Sequence, residues 1–152
     1  GKTPIVSTTG ARFGYNMISA VSPRGAMRFM IVEGKLNGEI FIGFLKRLIH
    51  NWPHPIFLII DGHPVHRSVA VAKFVASTKG RLQLFALPPY APDVNPDEQV
   101  WNHLKNHRVG KQPIAGPDHL KHMVLSNLRS MQKLPSLVRS FFAMPETIYA
   151  AA

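Results

Sequence analysis

The chain has no cysteine. Disulfides and thiolate metal sites are therefore excluded, which fits a reducing compartment. Acidic residues are scarce, with 8 Asp and Glu against 18 Lys and Arg, a formal net charge of +10. No aspartate occurs before Asp61. Apolar runs are short as well. The longest, Ile56 to Ile60, is far below the length that crosses a bilayer. The start, Gly1-Lys2-Thr3-Pro4, has none of the pattern of a secretory leader. There is no internal repeat and no low-complexity segment, so solenoids and disordered tails are not expected.

What is present fits one α/β domain. The 152 residues are 45% hydrophobic, enough for a single core. Strands are expected over residues 11 to 22 and 26 to 33, joined by the turn signal Ser22-Pro23-Arg24-Gly25. Residues 39 to 52 carry Phe41, Leu45, Leu48 and Trp52 at helical spacing, with Pro53 and Pro55 as the stop. Ile56 to Ile60 reads as a strand buried on both faces. A helix over residues 66 to 77, a strand over 81 to 87 and a stiff loop, Pro88 to Pro92, follow. Asn95-Pro96 reads as cap and first position of a helix reaching about His107. Residues 110 to 117 read as a linker, and the C-terminal part of 110–152 as helices.

The excess of positive charge, spread along the whole chain, favours a polyanionic partner, usually nucleic acid. Two of the few acids then stand out by position. Asp61 closes the apolar strand, at the sheet end where ligands of α/β proteins bind. Glu98 lies in the first turn of a helix after the stiff loop, and residues 62 to 97 separate the two. A strand–helix–strand–loop unit of that length can bring the chain back beside Asp61. Two carboxylates so placed could hold Mg²⁺, which binds through a few oxygens and keeps its waters. Taken singly, Asp61 is better read as a turn cap and Glu98 as the favourable charge at a helix N-terminus; the pair with its surrounding motifs is not.

The blocks around these acids are specific. Leu58-Ile59-Ile60-Asp61 followed by His66, and Leu87-Pro88-Pro89-Tyr90-Ala91-Pro92-Asp93-Val94-Asn95-Pro96-Asp97-Glu98 with Trp101 and Lys105, resemble the catalytic cores of DDE-type transposases. The likeness is to the mariner-like and related bacterial insertion-sequence enzymes, and it covers most of residues 1 to 108. It implies an RNase H-like mixed sheet with helices on both faces, residues 1–152 forming one catalytic core. It implies metal-dependent DNA cleavage followed by joining of a 3′-OH to target DNA. Three carboxylates would hold two Mg²⁺ or Mn²⁺ ions, Asp61 being the second and Glu98 the third. Transposon ends and target DNA would be the substrates, a homodimer the active assembly, and the bacterial cytoplasm, at the nucleoid, the location, with no membrane partner.

The sequence departs from that pattern. The family's first aspartate lies on a strand ahead of the hairpin, and no such aspartate is present. The expectation is a core whose first strand is missing, truncated at its N-terminus and inactive or weakly active alone. The alternative is a catalytically inactive remnant that binds DNA or self-associates. Gly62 stands where the family usually has Asn. Among other side chains, His66, Arg67, Lys73, Lys105 and Arg108 are candidate DNA contacts, and Lys46, Arg47 and Lys111 candidate backbone contacts among which the sequence does not choose. Trp101 is expected to anchor its helix in the core.

Overall fold

The structure is a computed structural model that describes residues 5–12, 15–88, 92–105 and 116–151. Among these, five strands form one sheet: β1 (Ile5–Arg12), β2 (Tyr15–Val21), β3 (Met27–Val32), β4 (Ile56–Ile60) and β5 (Leu82–Ala86), in the order β3-β2-β1-β4-β5. β1, β2 and β3 are an antiparallel meander, while β4 runs parallel to both β1 and β5. The helices are α1 (Gly38–Ile49), α2 (Val69–Ser77), α3 (Glu98–His103), α4 (Pro117–Gln132) and α5 (Pro135–Ser140). Short 3₁₀ turns cover Pro64–Arg67, Pro92–Val94 and Ile148–Ala151.

The period of two along β2 sorts its side chains to two cores. Ile18 and Ala20 meet Phe41, Phe44 and Leu45 of α1, together with Leu58, Val71 and Leu82. Met17 and Val21 face the other way, onto Val100 and Trp101 of α3, Leu128 of α4 and Val138 of α5. Trp101 is buried as expected and is among the largest enclosed side chains. Helices therefore lie on both faces of the sheet. The β2–β3 turn is tied by Gly25 N–H to Ser22 O at 3.0 Å, and Gly25 has φ +95°. A Cβ there would stand 2.7 Å from the Pro135 carbonyl oxygen, so this turn needs glycine both for its φ and for the close approach of α5.

Several expectations change. The position expected to lack a strand is filled by β1, which lies between β2 and β4. The antiparallel hairpin is thus not itself beside β4. The physical reason is that β4 presents hydrogen-bonding groups along both edges, and a neighbour on each side satisfies them. β1 brings no carboxylate to that place, its sequence being Ile-Val-Ser-Thr-Thr-Gly-Ala-Arg. β4 is also not buried on both faces. Ile56, Leu58 and Ile60 are enclosed, but Phe57 is exposed and pairs with exposed Phe85, ring centroids 6.2 Å apart. The second helical layer packs over β2 and β3 and leaves the β4–β5 end of that face open. The regular helix α3 starts only at Glu98, but Asn95 makes the expected capping contact, its side chain accepting from Asp97 N–H at 3.0 Å and its carbonyl from Glu98 N–H at 3.1 Å. Residues 66 to 77 divide into a 3₁₀ turn and α2, because Ser68 caps α2 through Val71 N–H. Pro89, Tyr90 and Ala91 of the stiff loop, the segment from Asn106 through Ala115 and therefore Arg108 and Lys111 lie outside the described residues.

Candidate active site

Asp61 follows β4 directly and is half-buried. Its Oδ1 accepts from His63 N–H at 3.0 Å, an Asx-type turn that bends the chain away from the sheet. His63 in turn caps the next turn, its Nδ1 accepting from Val65 N–H at 3.1 Å. Burial, and then the neighbouring His66, hold the His63 imidazole below its usual pKa, with Asp61 opposing them. An accepting Nδ1 agrees with that direction, since it requires the nitrogen to be unprotonated. His66 lies underneath. Its ring is 4.5 Å from that of Phe41, and its Nδ1 lies 3.1 Å from both Asp61 O and Asp61 Oδ1. With its proton on Nδ1, His66 donates to Asp61 and fixes the carboxylate from below.

Glu98 opens α3 and is half-buried. The residue before it, Asp97, is fully enclosed, and its Oδ2 accepts from Ser19 Oγ of β2 at 2.6 Å. The start of α3 is thereby tied to the sheet. Registers locate the tie relative to Asp61. Val6 of β1 pairs with both Ile60 and Ala20, and Ser7 pairs with Ser19. Position 61 thus falls in the row of Ser7 and Ser19, two strand spacings from Ser19, or about 10 Å. By the same period of two it falls on the face of Phe57 and Ile59, where Ile59 packs at the margin of the α3 core and Phe57 is exposed. The fold therefore brings the Asp61 and Glu98 segments to one end and one face of the sheet. From the other side, Tyr149 Oη donates to Val94 O and holds the loop that enters α3.

The remaining sequence candidates divide. His66 is buried beside Asp61 rather than displayed on the surface. Arg67, Lys73 and Lys105 are exposed, Arg67 beside the turn, Lys73 on α2 and Lys105 just past α3. Asp97 and Ser19 form a buried contact beside Glu98 that the sequence does not single out. Asp97 carries only the signal of an acid at a helix start, and Glu98 beside it carries the same one. Metal fit follows from the donors present. Among the described residues no group of three or more His, Cys, Asp or Glu side chains could hold an ion. The three-carboxylate set that the resemblance implies is not assembled by them, and no catalytic step is assigned to a pair of metals.

A 3-2-1-4-5 sheet with helices on both faces and an acid closing β4 is an RNase H-like fold. Residues 1–121 match the family of DDE superfamily endonucleases, and the chain belongs to that family. Among solved structures it is similar to the catalytic domain of Mos1 mariner transposase, at 15% identity over 94% of this chain and 82% of that one, TM-score 0.59. A Mos1 transposase catalytic domain with raltegravir and Mg gives 17% identity, 91% and 82% coverage and TM-score 0.60. A simian T-cell lymphotropic virus intasome in complex with PP2A regulatory subunit B56 gamma is more distant, at 13% identity, 83% and 49% coverage and TM-score 0.50. At these identities the likeness is one of fold. No curated protein matches by sequence. No helix among the described residues is long and apolar enough to cross a membrane.

Proposed function

We propose that the chain is the nuclease core of a DNA transposase, acting on transposon ends and target DNA, with Asp61 and Glu98 as its acidic pair. The observation that carries this reading is the shared row and face of Asp61 and the Ser19–Asp97 tie, which directs the first turn of α3 back toward the end of β4. Family membership and the likeness to transposase domains, one solved with Mg, support it. A divalent ion, Mg²⁺ or Mn²⁺, would be held by these two carboxylates and otherwise by water, a donor set that magnesium accepts. When bound, such an ion supplies charge stabilisation to the oxygens of a reacting phosphodiester. His66 and the Asx turn hold Asp61 in place, and the Ser19 contact does the same for Glu98 through its neighbour. With no acid on β1, the site is weak in this chain.

The test is Mn²⁺ titration followed by water-proton relaxation, together with nicking of supercoiled DNA in Mn²⁺. Weak binding is expected, reduced at least tenfold by Asp61→Asn or Glu98→Gln, because an amide keeps the shape but loses the charge. Nicking should be low and should vanish in both variants. Metal binding and nicking unchanged in both would overturn the assignment. Duplex binding retained with neither metal binding nor nicking in the parent chain would favour the inactive remnant.

A further inference from the structure

The free edge of β3 carries a feature that the acidic pair does not use. A groove of about 780 Å³ runs along that edge between α1 and α4, lined by Arg28, Lys46, Arg47, His50, Lys121 and Arg129 over an apolar floor. Five fixed cations converge there from three elements. Among the described residues, Glu33 is a carboxylate that reaches them, paired with Lys121. Arg28, Lys46, Arg47 and Arg129 are exposed, so their charge faces solvent. A smaller groove shares Leu125 and Arg129 and continues the stripe across α4 to Lys133. Gln132 Nε2 donates to Met27 O at 2.8 Å and ties α4 to the edge strand.

We infer that this groove is a binding track for the phosphate backbone of a nucleic-acid duplex, separate from the end of the sheet that carries Asp61 and Glu98. The inference rests on the reading of the chain as a DNA-processing core and adds the surface that holds the DNA. The charge fits. Like-charged side chains crowd around an edge strand at a cost in repulsion that a polyanion removes. The dimensions fit as well. Lys121 to Lys133 along α4 spans about 18 Å at 1.5 Å per residue, roughly five base-pair steps of duplex at 3.4 Å each along its axis. The position fits a second contact, because β3 is three strand spacings from β4, about 14 Å across the sheet. A charge on the strand itself, such as Arg28, is enough to deter pairing with another chain; the other four cations come from α1 and α4 and are not explained by it. The contacts are to backbone, so the track is indifferent to sequence.

The test uses the full chain and a random 20-base-pair duplex, with anisotropy titrations at several salt concentrations. The variant carries Arg28→Gln, Lys46→Gln and Arg129→Gln; the control carries Arg24→Gln, Lys35→Gln and Lys79→Gln, removing equal charge elsewhere. The groove variant should lose at least tenfold in affinity, and its log–log salt slope should fall by about 2.7, three contacts at 0.9 each. The control should lose far less. Lysine-labelling footprints on the unaltered chain give a second reading that needs no variant: duplex should protect Lys46 and Lys121 but not Lys79. Equal losses in both variants, or no protection of Lys46 and Lys121, would overturn the track and leave the nuclease reading to its own metal and nicking test. Polyglutamate that displaces the duplex at equal charge would reassign the groove to an acidic protein segment, and overturn it as well.

Discussion

Asp97 shows how much one enclosed contact does in this molecule. A buried carboxylate is costly unless donors meet it, and Ser19 Oγ supplies one at 2.6 Å from a neighbouring layer. Ser19→Ala removes that donor and leaves an enclosed acceptor with one partner fewer. The expected loss is about 1–3 kcal/mol, read as a lower urea midpoint at unchanged slope. Because the contact also aims α3, Mn²⁺ affinity should fall in the folded variant. Ser19→Thr, which keeps the hydroxyl, should recover most of the affinity. A variant that loses stability but binds Mn²⁺ as the parent does would show that the tie holds the core and not the site. His66 carries a parallel lesson. The sequence leaves it a bond near the acid, a phosphate contact or an ordinary helix-start residue, and the ring tilted against Phe41 with Nδ1 at Asp61 places it beside the carboxylate.

Elements differ in how far the sequence alone declares them. β4 and its closing aspartate are legible because five apolar residues in a row leave few other fates. The Ser22–Gly25 turn is legible because proline and glycine mark it. β1 is not, since Ile5 to Arg12 mixes hydroxyl, glycine and apolar residues without a steady period, and its strand exists through pairing with β2 and β4. The basic groove is invisible in sequence: Arg28, Lys46 and Arg129 belong to three elements, and only packing makes them neighbours. The same dependence on packing gives a prediction at the turn. Gly25→Ala places a Cβ 2.7 Å from the Pro135 carbonyl oxygen, at a φ of +95° that a side chain resists. A loss of about 2–3 kcal/mol is expected, with faster hydrogen exchange at α5 and the β2–β3 turn. Exchange unchanged at α5 would mean that the turn and α5 are not mechanically joined.

At the scale of the whole molecule, a net charge of +10 on 152 residues is a store of repulsion. Folding draws those charges together, so the folded state gains when a polyanion neutralises them. A ligand that binds only the folded chain stabilises it by about 2.7 kcal/mol at a hundred times its dissociation constant. For a domain of this size each kcal/mol moves the thermal midpoint by about 2–4 °C. A short duplex at low salt should therefore raise the midpoint by roughly 5–10 °C. The shift should shrink as salt rises, since released counterions are the source of the affinity. A neutral polymer of equal length should do nothing. Calorimetric scans across a salt series decide the matter. A midpoint indifferent to duplex at the lowest salt would mean that the surplus charge is only solvated, and that the scarcity of acids in this chain has no nucleic-acid partner behind it.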